Sequence, residues 1–144
     1  MAESPDRSGN LWKACEDALV ELLEGGDEAV GPWISRWGQS LGESLAKHSA
    51  DVGMTRVRKV LTELKSIKAY QSLHMAQYAY KIIYLAKDEK GEMEQLAKLL
   101  HKAALDVKSQ QQLERLRFFV ECLFAHYAFT RQKRAEEGSQ EVRR

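Results

Sequence analysis

The sequence lacks long hydrophobic runs and has few prolines, glycines and cysteines. Its uninterrupted apolar runs are only a few residues long, whereas a transmembrane helix needs about 20 apolar residues. With 2 prolines and 9 glycines among 144 residues, collagen-like and low-complexity classes are excluded. Residues 1–10 are polar and acidic and contain no apolar stretch, so we expect no signal peptide there.

The chain also lacks the short motifs that mark many catalytic and cofactor sites. No glycine-rich phosphate loop, Rossmann pattern, nucleophile elbow or Cys-x-x-Cys pair occurs in it. Its four histidines lie in different segments without zinc-ligand spacing, at positions 48, 74, 101 and 126. Separate segments could still bring them together in space. The pattern nevertheless predicts a protein that is not an enzyme and has no catalytic residue, no metal and no cofactor.

What is present is an ordinary globular composition, with 44% hydrophobic and 30% charged residues. A chain of this size commonly forms one domain and buries about two-thirds of its unfolded surface. The 2 cysteines, Cys15 and Cys122, sit within helical patterns. We interpret them as small buried apolar residues rather than a disulfide, which indicates a reducing, cytoplasmic location.

The near-neutral net charge of +1 conceals a strong asymmetry along the chain. Residues 1–52 carry 4 basic and 10 acidic groups, whereas residues 53–87 carry 7 basic and 1 acidic. Two interpretations are open. The basic segment could form a localised anion-binding face, or it could attract the acidic segment within one fold.

Helical periodicity dominates the chain, so we predict an all-α fold, a single compact bundle of about five to six helices. The organisation has three parts: an acidic N-terminal helical segment at 1–52, a core bundle with a basic face at 53–130, and a disordered tail at 131–144. The glycines Gly38 and Gly42 should weaken the second helix. The predicted helices cover about 10–24, 32–45, 55–70, 73–87, 92–106, and a last one that follows a capping box at Ser109 and Gln112.

The third helix combines an apolar stripe with basic residues on its opposite side. The stripe consists of Val57, Val60, Leu61, Leu64 and Ile67. Arg56, Arg58, Lys59 and Lys65 lie opposite it, and the fourth helix adds Lys81 and Lys87. Such a face suits phosphate groups rather than base edges. The neighbouring Tyr80 and Tyr84 are predicted to lie in the core, although tyrosines beside basic residues could also stack on bases.

Three stretches together resemble one known family. Residues 54–61 read Met-Thr-Arg-Val-Arg-Lys-Val-Leu, residues 81–86 read Lys-Ile-Ile-Tyr-Leu-Ala, and residues 113–127 read Leu-Glu-Arg-Leu-Arg-Phe-Phe-Val-Glu-Cys-Leu-Phe-Ala-His-Tyr. In order and spacing they are similar to motifs of the small subunit of the type III-A CRISPR–Cas effector, the Csm complex. The similarity covers about residues 53–129. The sequence departs from the family pattern at Cys122, at His126 and at Lys87-Asp88.

The resemblance implies a small, all-helical, non-catalytic subunit that acts in antiviral defence. Several copies would stack along the guide RNA and its paired target RNA, between the backbone subunit and the large polymerase-type subunit. The basic residues would contact phosphates, while base pairing reads the sequence. The small subunit of the type III-B complex is a close variant of this hypothesis.

The resemblance carries two basic motif positions over to Arg58 and Lys81. Helix geometry adds Arg56 and Lys59. The complete candidate RNA-binding set is Arg56, Arg58, Lys59, Lys65, Lys81, Lys87, Arg115 and Arg117, of which the last two could serve subunit contacts instead. A different class of function is a helical adaptor or dimerisation module without a nucleic-acid role. Its interface would be the apolar seam from Leu113 to Tyr127.

Overall fold

The computed structural model describes residues 7–48 and 54–143, and the described residues form helices and no strand. The helices are α1 (Arg7–Asp17), α2 (Leu19–Glu24), α3 (Asp27–His48), α4 (Met54–Lys65), α5 (Ser72–Leu85), α6 (Glu92–Asp106) and α7 (Gln110–Arg143). Only Ala18 separates α1 from α2, so the two behave as one interrupted helix. The all-α bundle of five to six helices is thereby confirmed.

The longest contact in the bundle is the packing of α3 along α7, and two glycines permit it. A Cβ atom on Gly42 would lie 2.5 Å from the backbone oxygen of Leu123, and one on Gly38 would lie 2.9 Å from the Cβ of Cys122. Atoms cannot approach so closely, so only glycine fits at these positions. The sequence predicts that both glycines weaken the helix, but the structure shows that they allow α3 to pack directly on α7.

The acidic N-terminal segment is joined to the core through a buried carboxylate. Glu92, which begins α6, is only 3% exposed. Its Oε1 accepts hydrogen bonds from the indole Nε1 of Trp12 and from the Oγ of Ser44, both at 2.8 Å. A buried carboxylate needs such donors, because leaving it without partners is costly. The three side chains therefore connect α1, α3 and α6.

The start of the second predicted helix and the end of the third differ from the predictions. The second predicted helix begins at Asp27 rather than Pro32, since Asp27 and Glu28 in its first turn favour the positive end of the helix dipole. The third ends at Lys65 rather than near residue 70. The side chain of Gln110 takes the place of the missing helical hydrogen bonds there. Its carboxamide accepts a hydrogen bond from the Tyr70 N–H at 2.6 Å and donates one to the Lys68 carbonyl at 3.1 Å.

The last helix starts as predicted but extends further. The Gln112 N–H donates to the Oγ of Ser109 at 3.2 Å, which confirms Ser109 as the N-cap. The Gln112 carboxamide completes a variant of the capping box, since it accepts from the Lys108 N–H at 2.6 Å. The helix then continues to Arg143, whereas the sequence predicts disorder from 131 onward. Residues 132–137 contain only good helix formers, Gln, Lys, Arg, Ala and Glu, which explains the extension.

The exposed face of α5 corrects a further prediction. Tyr80 and Tyr84 are exposed by 65% and 66% rather than buried, and Leu73 on the same helix is exposed by 64%. The residues that α5 buries are Met75, Tyr78, Ala79 and Ile82. Because α5 is apolar around most of its circumference, periodicity alone could not select the core side. The hydroxyl of Tyr78 donates to the Val60 carbonyl at 3.3 Å and helps to fix the observed orientation.

The two cysteines are free thiols, as predicted. Cys15 is buried and Cys122 is half-buried. Burial, and after it the charge of Glu16, raises the pKa of the Cys15 thiol far above its ordinary value. Burial and then Glu121 also raise the pKa of Cys122. Both thiols therefore stay protonated near neutral pH and are poor nucleophiles.

The glycine contact predicts a clear stability difference within α3. Gly42→Ala should lower the free energy of unfolding by about 2 kcal/mol, because the added methyl group overpacks the contact with Leu123. Gly31→Ala is the matched control on the same helix. A Cβ there would meet nothing within 4 Å apart from its chain neighbours. The gain in helix propensity is opposed by crowding against the ring of Pro32, so Gly31→Ala should change the stability by less than about 1 kcal/mol. Urea unfolding followed by circular dichroism measures both, and equal stability of the two variants would contradict this packing.

Candidate nucleic-acid interface

Arg58 and Lys59 lie on the outer side of α4, away from the buried Val57, Val60 and Leu64. Both are exposed, and neither forms an ion pair with a described residue. Arg56 belongs to the same helix, but its side chain lies outside what the structure describes. The structure therefore presents at least two uncompensated cations on one exposed helix face.

Two other predicted binding residues are held in exposed ion pairs. Lys81 contacts the carboxylate of Glu63 at 2.8 Å, and Lys65 lies 3.9 Å from that of Glu121. The lysine side chains are 53% and 52% exposed. Exposed ion pairs of this kind contribute only about 0–1 kcal/mol. A polyanion could therefore displace either carboxylate at little cost.

A cleft of about 460 Å³ separates the end of α4 from α5. Its walls include Lys68 and Lys81 as cations and Glu63 as the one carboxylate. The complete lining is Glu63, Ser66, Ile67, Lys68, Ala69, Gln71, His74, Gln77, Tyr78 and Lys81. Lys68 and His74 were not among the residues predicted from the sequence. We call this cleft, together with the exposed Arg58 and Lys59 of α4, the α4–α5 surface.

Apart from Arg58, Lys59 and Glu63, the α4–α5 surface belongs to a stretch of chain that is free of acidic residues. Between Leu64 and Lys87 the sequence contains 4 lysines and no Asp or Glu. This acid-free stretch is the sequence signal from which Lys68 could have been predicted as a binding residue. At its end, the Nζ of Lys87 lies 4.4 Å from the centroid of the Tyr84 ring and 3.4 Å from its hydroxyl. Lys87 thus places a charge over an exposed aromatic ring.

The two open interpretations of the charge asymmetry can now be compared. Among the described residues, no ion pair joins a cation of 53–87 to a carboxylate of 1–52. Glu16, Asp17 and Glu24 instead line a different cavity, beside α2 and the end of α6. The structure therefore favours a separate basic face over an attraction between the two segments.

Arg115 requires a correction, because its guanidinium is used inside the fold. It donates to the carbonyls of Leu22 at 3.0 Å and Gly25 at 2.7 Å, and it contacts the carboxylate of Asp27 at 2.8 Å. The side chain is only 11% exposed. It satisfies backbone carbonyls at the end of α2, which no helical N–H can reach. The sequence could not show this, since the contacts span about 90 residues.

Arg117 is half-buried, and its Nε has no hydrogen-bond partner among the described atoms. It lies one turn before Glu121, which faces Lys65 on α4, so it is on the side of α7 nearest to α4. Of the eight predicted residues, the structure places Arg58, Lys59 and Lys65 on α4 with free or weakly paired charges. Lys81 on α5 and Lys87, two residues after the end of α5, are likewise free or weakly paired. The structure removes Arg115 from the set.

Side chains that commonly bind metals do not gather at one place in the described part of the chain. Within 7–48 and 54–143, no group of three His, Cys, Asp or Glu side chains could hold a metal ion. His101 contacts the Ala79 carbonyl through Nδ1 at 2.9 Å, which satisfies it within the fold. No helix in the described part of the chain is long and apolar enough to cross a membrane. No family model, curated protein or solved structure matches the chain.

The structural role of Arg115 can be separated from RNA binding. Arg115→Ala should lower the free energy of unfolding by about 1–3 kcal/mol, because it leaves the carbonyls at the end of α2 without donors. Arg58→Ala, the control on exposed α4, should change stability by less than about 0.5 kcal/mol. Thermal unfolding measures both. An equal change in the two variants would show that Arg115 does not hold α2.

Proposed function

We propose that this protein is a non-catalytic structural small subunit of a type III-A CRISPR RNA-guided interference complex. Several copies would contact the phosphate backbone of guide RNA and target RNA through the α4–α5 surface. The observation that carries the proposal is the pair Arg58 and Lys59, exposed on α4 and unpaired among the described residues. The resemblance of residues 53–129 to the family supports the same assignment. The protein would act in the cytoplasm beside the backbone subunit and the large polymerase-type subunit.

The charge arrangement suits a ligand that is bound without reading its sequence. Lysine and arginine side chains on a rigid helix neutralise phosphates, and the counterions that they release drive binding. One copy offers only a few such contacts, so its affinity for free RNA should be weak and strongly salt-dependent. Stacked copies along one strand would gain affinity by repetition.

The adaptor hypothesis loses the interface on which it was based. Leu113, Leu116 and Leu123 of the predicted seam are at most 1% exposed, and Val120 and Tyr127 are also buried. The seam packs inside the chain's own core and is not available to a second protein. A protein-binding role would need another surface.

The double charge reversal Arg58→Glu/Lys59→Glu tests the proposal. We expect it to weaken binding of a fluorescein-labelled 30-nucleotide RNA at least about tenfold at 50 mM salt. Its log–log salt slope should also become shallower by about 1.4, because two phosphate contacts are lost. Fluorescence anisotropy measures both quantities, and circular dichroism verifies the fold.

The matched control for that experiment is Lys133→Glu/Arg134→Glu. This pair is also adjacent, basic and exposed on a helix, and it gives the same change in net charge. It should retain most of the RNA affinity. If both double variants lose affinity equally, binding depends on net charge alone and the α4–α5 surface is not the site.

A further inference from the structure

Tyr80 and Tyr84 form a pair of aromatic rings that the fold leaves open. They are 65% and 66% exposed, one helical turn apart on α5, on the side opposite the buried Met75, Ala79 and Ile82. Burying these rings would stabilise the fold, since each aromatic side chain can remove about 150–250 Å² of surface from water. Here the bundle buries Tyr78 instead and turns the other two tyrosines outward. Two exposed aromatic rings one helical turn apart therefore indicate a binding surface for a partner outside the chain.

Each of the two rings contacts one neighbouring side chain. His101 lies edge-on to Tyr80, with 5.2 Å between the ring centroids, and its own Nδ1 contacts the Ala79 carbonyl. The Nζ of Lys87 lies over the ring of Tyr84 at 4.4 Å from the centroid. These contacts hold both rings on the helix surface and place a cation next to one of them.

The surrounding charge selects among the partners that could cover the rings. Both tyrosines lie within the stretch from Leu64 to Lys87 that has 4 lysines and no acidic residue. Of these lysines, Lys81 directly follows Tyr80 on α5 and Lys87 lies over the ring of Tyr84, and such cations attract an anion. α5 also exposes Leu73 by 64% and Ile83 by 39%, but the cations beside the two rings favour an anion over an apolar protein face. An anionic ligand with flat apolar faces fits this surface better than a protein does.

We propose that Tyr80 and Tyr84 stack on two neighbouring unpaired bases of an RNA strand, while Lys87 and Lys81 contact the adjoining phosphates. Attachment points one turn apart are about 6 Å from each other, so each ring meets a different nucleotide. Stacking on tyrosine is tolerant of sequence, because every base has an aromatic face. The inference rests on the proposed RNA-binding function and adds to it that the protein prefers a single strand, such as guide RNA that is not yet paired with its target, over a duplex, whose bases are already stacked and paired.

The test compares two probes, a 20-nucleotide oligouridylate and a blunt RNA duplex of the same length, by anisotropy at 50 mM salt. In the full-length chain, Tyr80→Leu/Tyr84→Leu removes both rings but keeps apolar side chains. We expect it to weaken oligouridylate binding about tenfold or more and duplex binding less than twofold. Tyr80→Phe/Tyr84→Phe should bind as the unchanged chain does. The matched control, Phe118→Leu/Phe129→Leu, removes two similarly exposed aromatic rings from α7 and should have no effect.

The possible failures are distinguishable. If the tyrosine-to-leucine variant binds oligouridylate normally while Arg58→Glu/Lys59→Glu does not, base stacking is wrong and the proposed function stands. If RNA affinity is unchanged and sedimentation shows that only the unchanged chain self-associates, the rings form an interface between copies and the stacking proposal is overturned. If the unchanged chain binds neither probe, the proposed function fails together with this inference.

Discussion

The close contact between α3 and α7 is the constraint on which the rest of the structure depends. Gly38 and Gly42 let the two longest helices touch backbone to backbone, and α7 then supports most of its neighbours. Arg115 on α7 holds the end of α2, and Gln110 holds the backbone that follows α4. A larger residue at position 42 would separate the helices and disturb all of these contacts together.

This central pair leaves α4 and α5 at the edge of the bundle, and the basic residues lie on these two helices. The buried Glu92 connects α1, α3 and α6, so the acidic N-terminal residues belong to the supporting part of the fold. Exposed cations lie elsewhere, on α4 and in the α4–α5 cleft, and the exposed Tyr80 and Tyr84 lie on the outer face of α5. A rigid frame with one basic face is the arrangement that a sequence-independent RNA-binding subunit needs.

Local signals in the sequence were sufficient for the helices but not for the long-range contacts. The predicted range of α6 and the Ser109 cap agree with the structure, because a strong apolar stripe and a capping side chain act within a few residues. The exposed face of α5 was mispredicted, because Tyr80 and Tyr84 follow the same helical spacing as core residues. The roles of Gly42, Glu92 and Arg115 depend on residues 80 or more positions away, Trp12 and Glu92 being one such pair, and no local pattern contains that information. In the candidate site, Arg58 and Lys59 were found from helix geometry, whereas Lys68 and His74 became visible only when the cleft was described.

The measurement that tests the central claim most directly is affinity purification of the full-length protein from its native cells, with RNA sequencing and mass spectrometry of the copurified material. The account predicts repeat-derived guide RNA together with a backbone subunit in several copies and a large polymerase-type subunit. It also predicts that Arg58→Glu/Lys59→Glu reduces the RNA recovered per copy of this protein. Recovery of no RNA, with a single acidic protein or only further copies of this chain, would contradict the account and would make the basic face of α4 a protein interface.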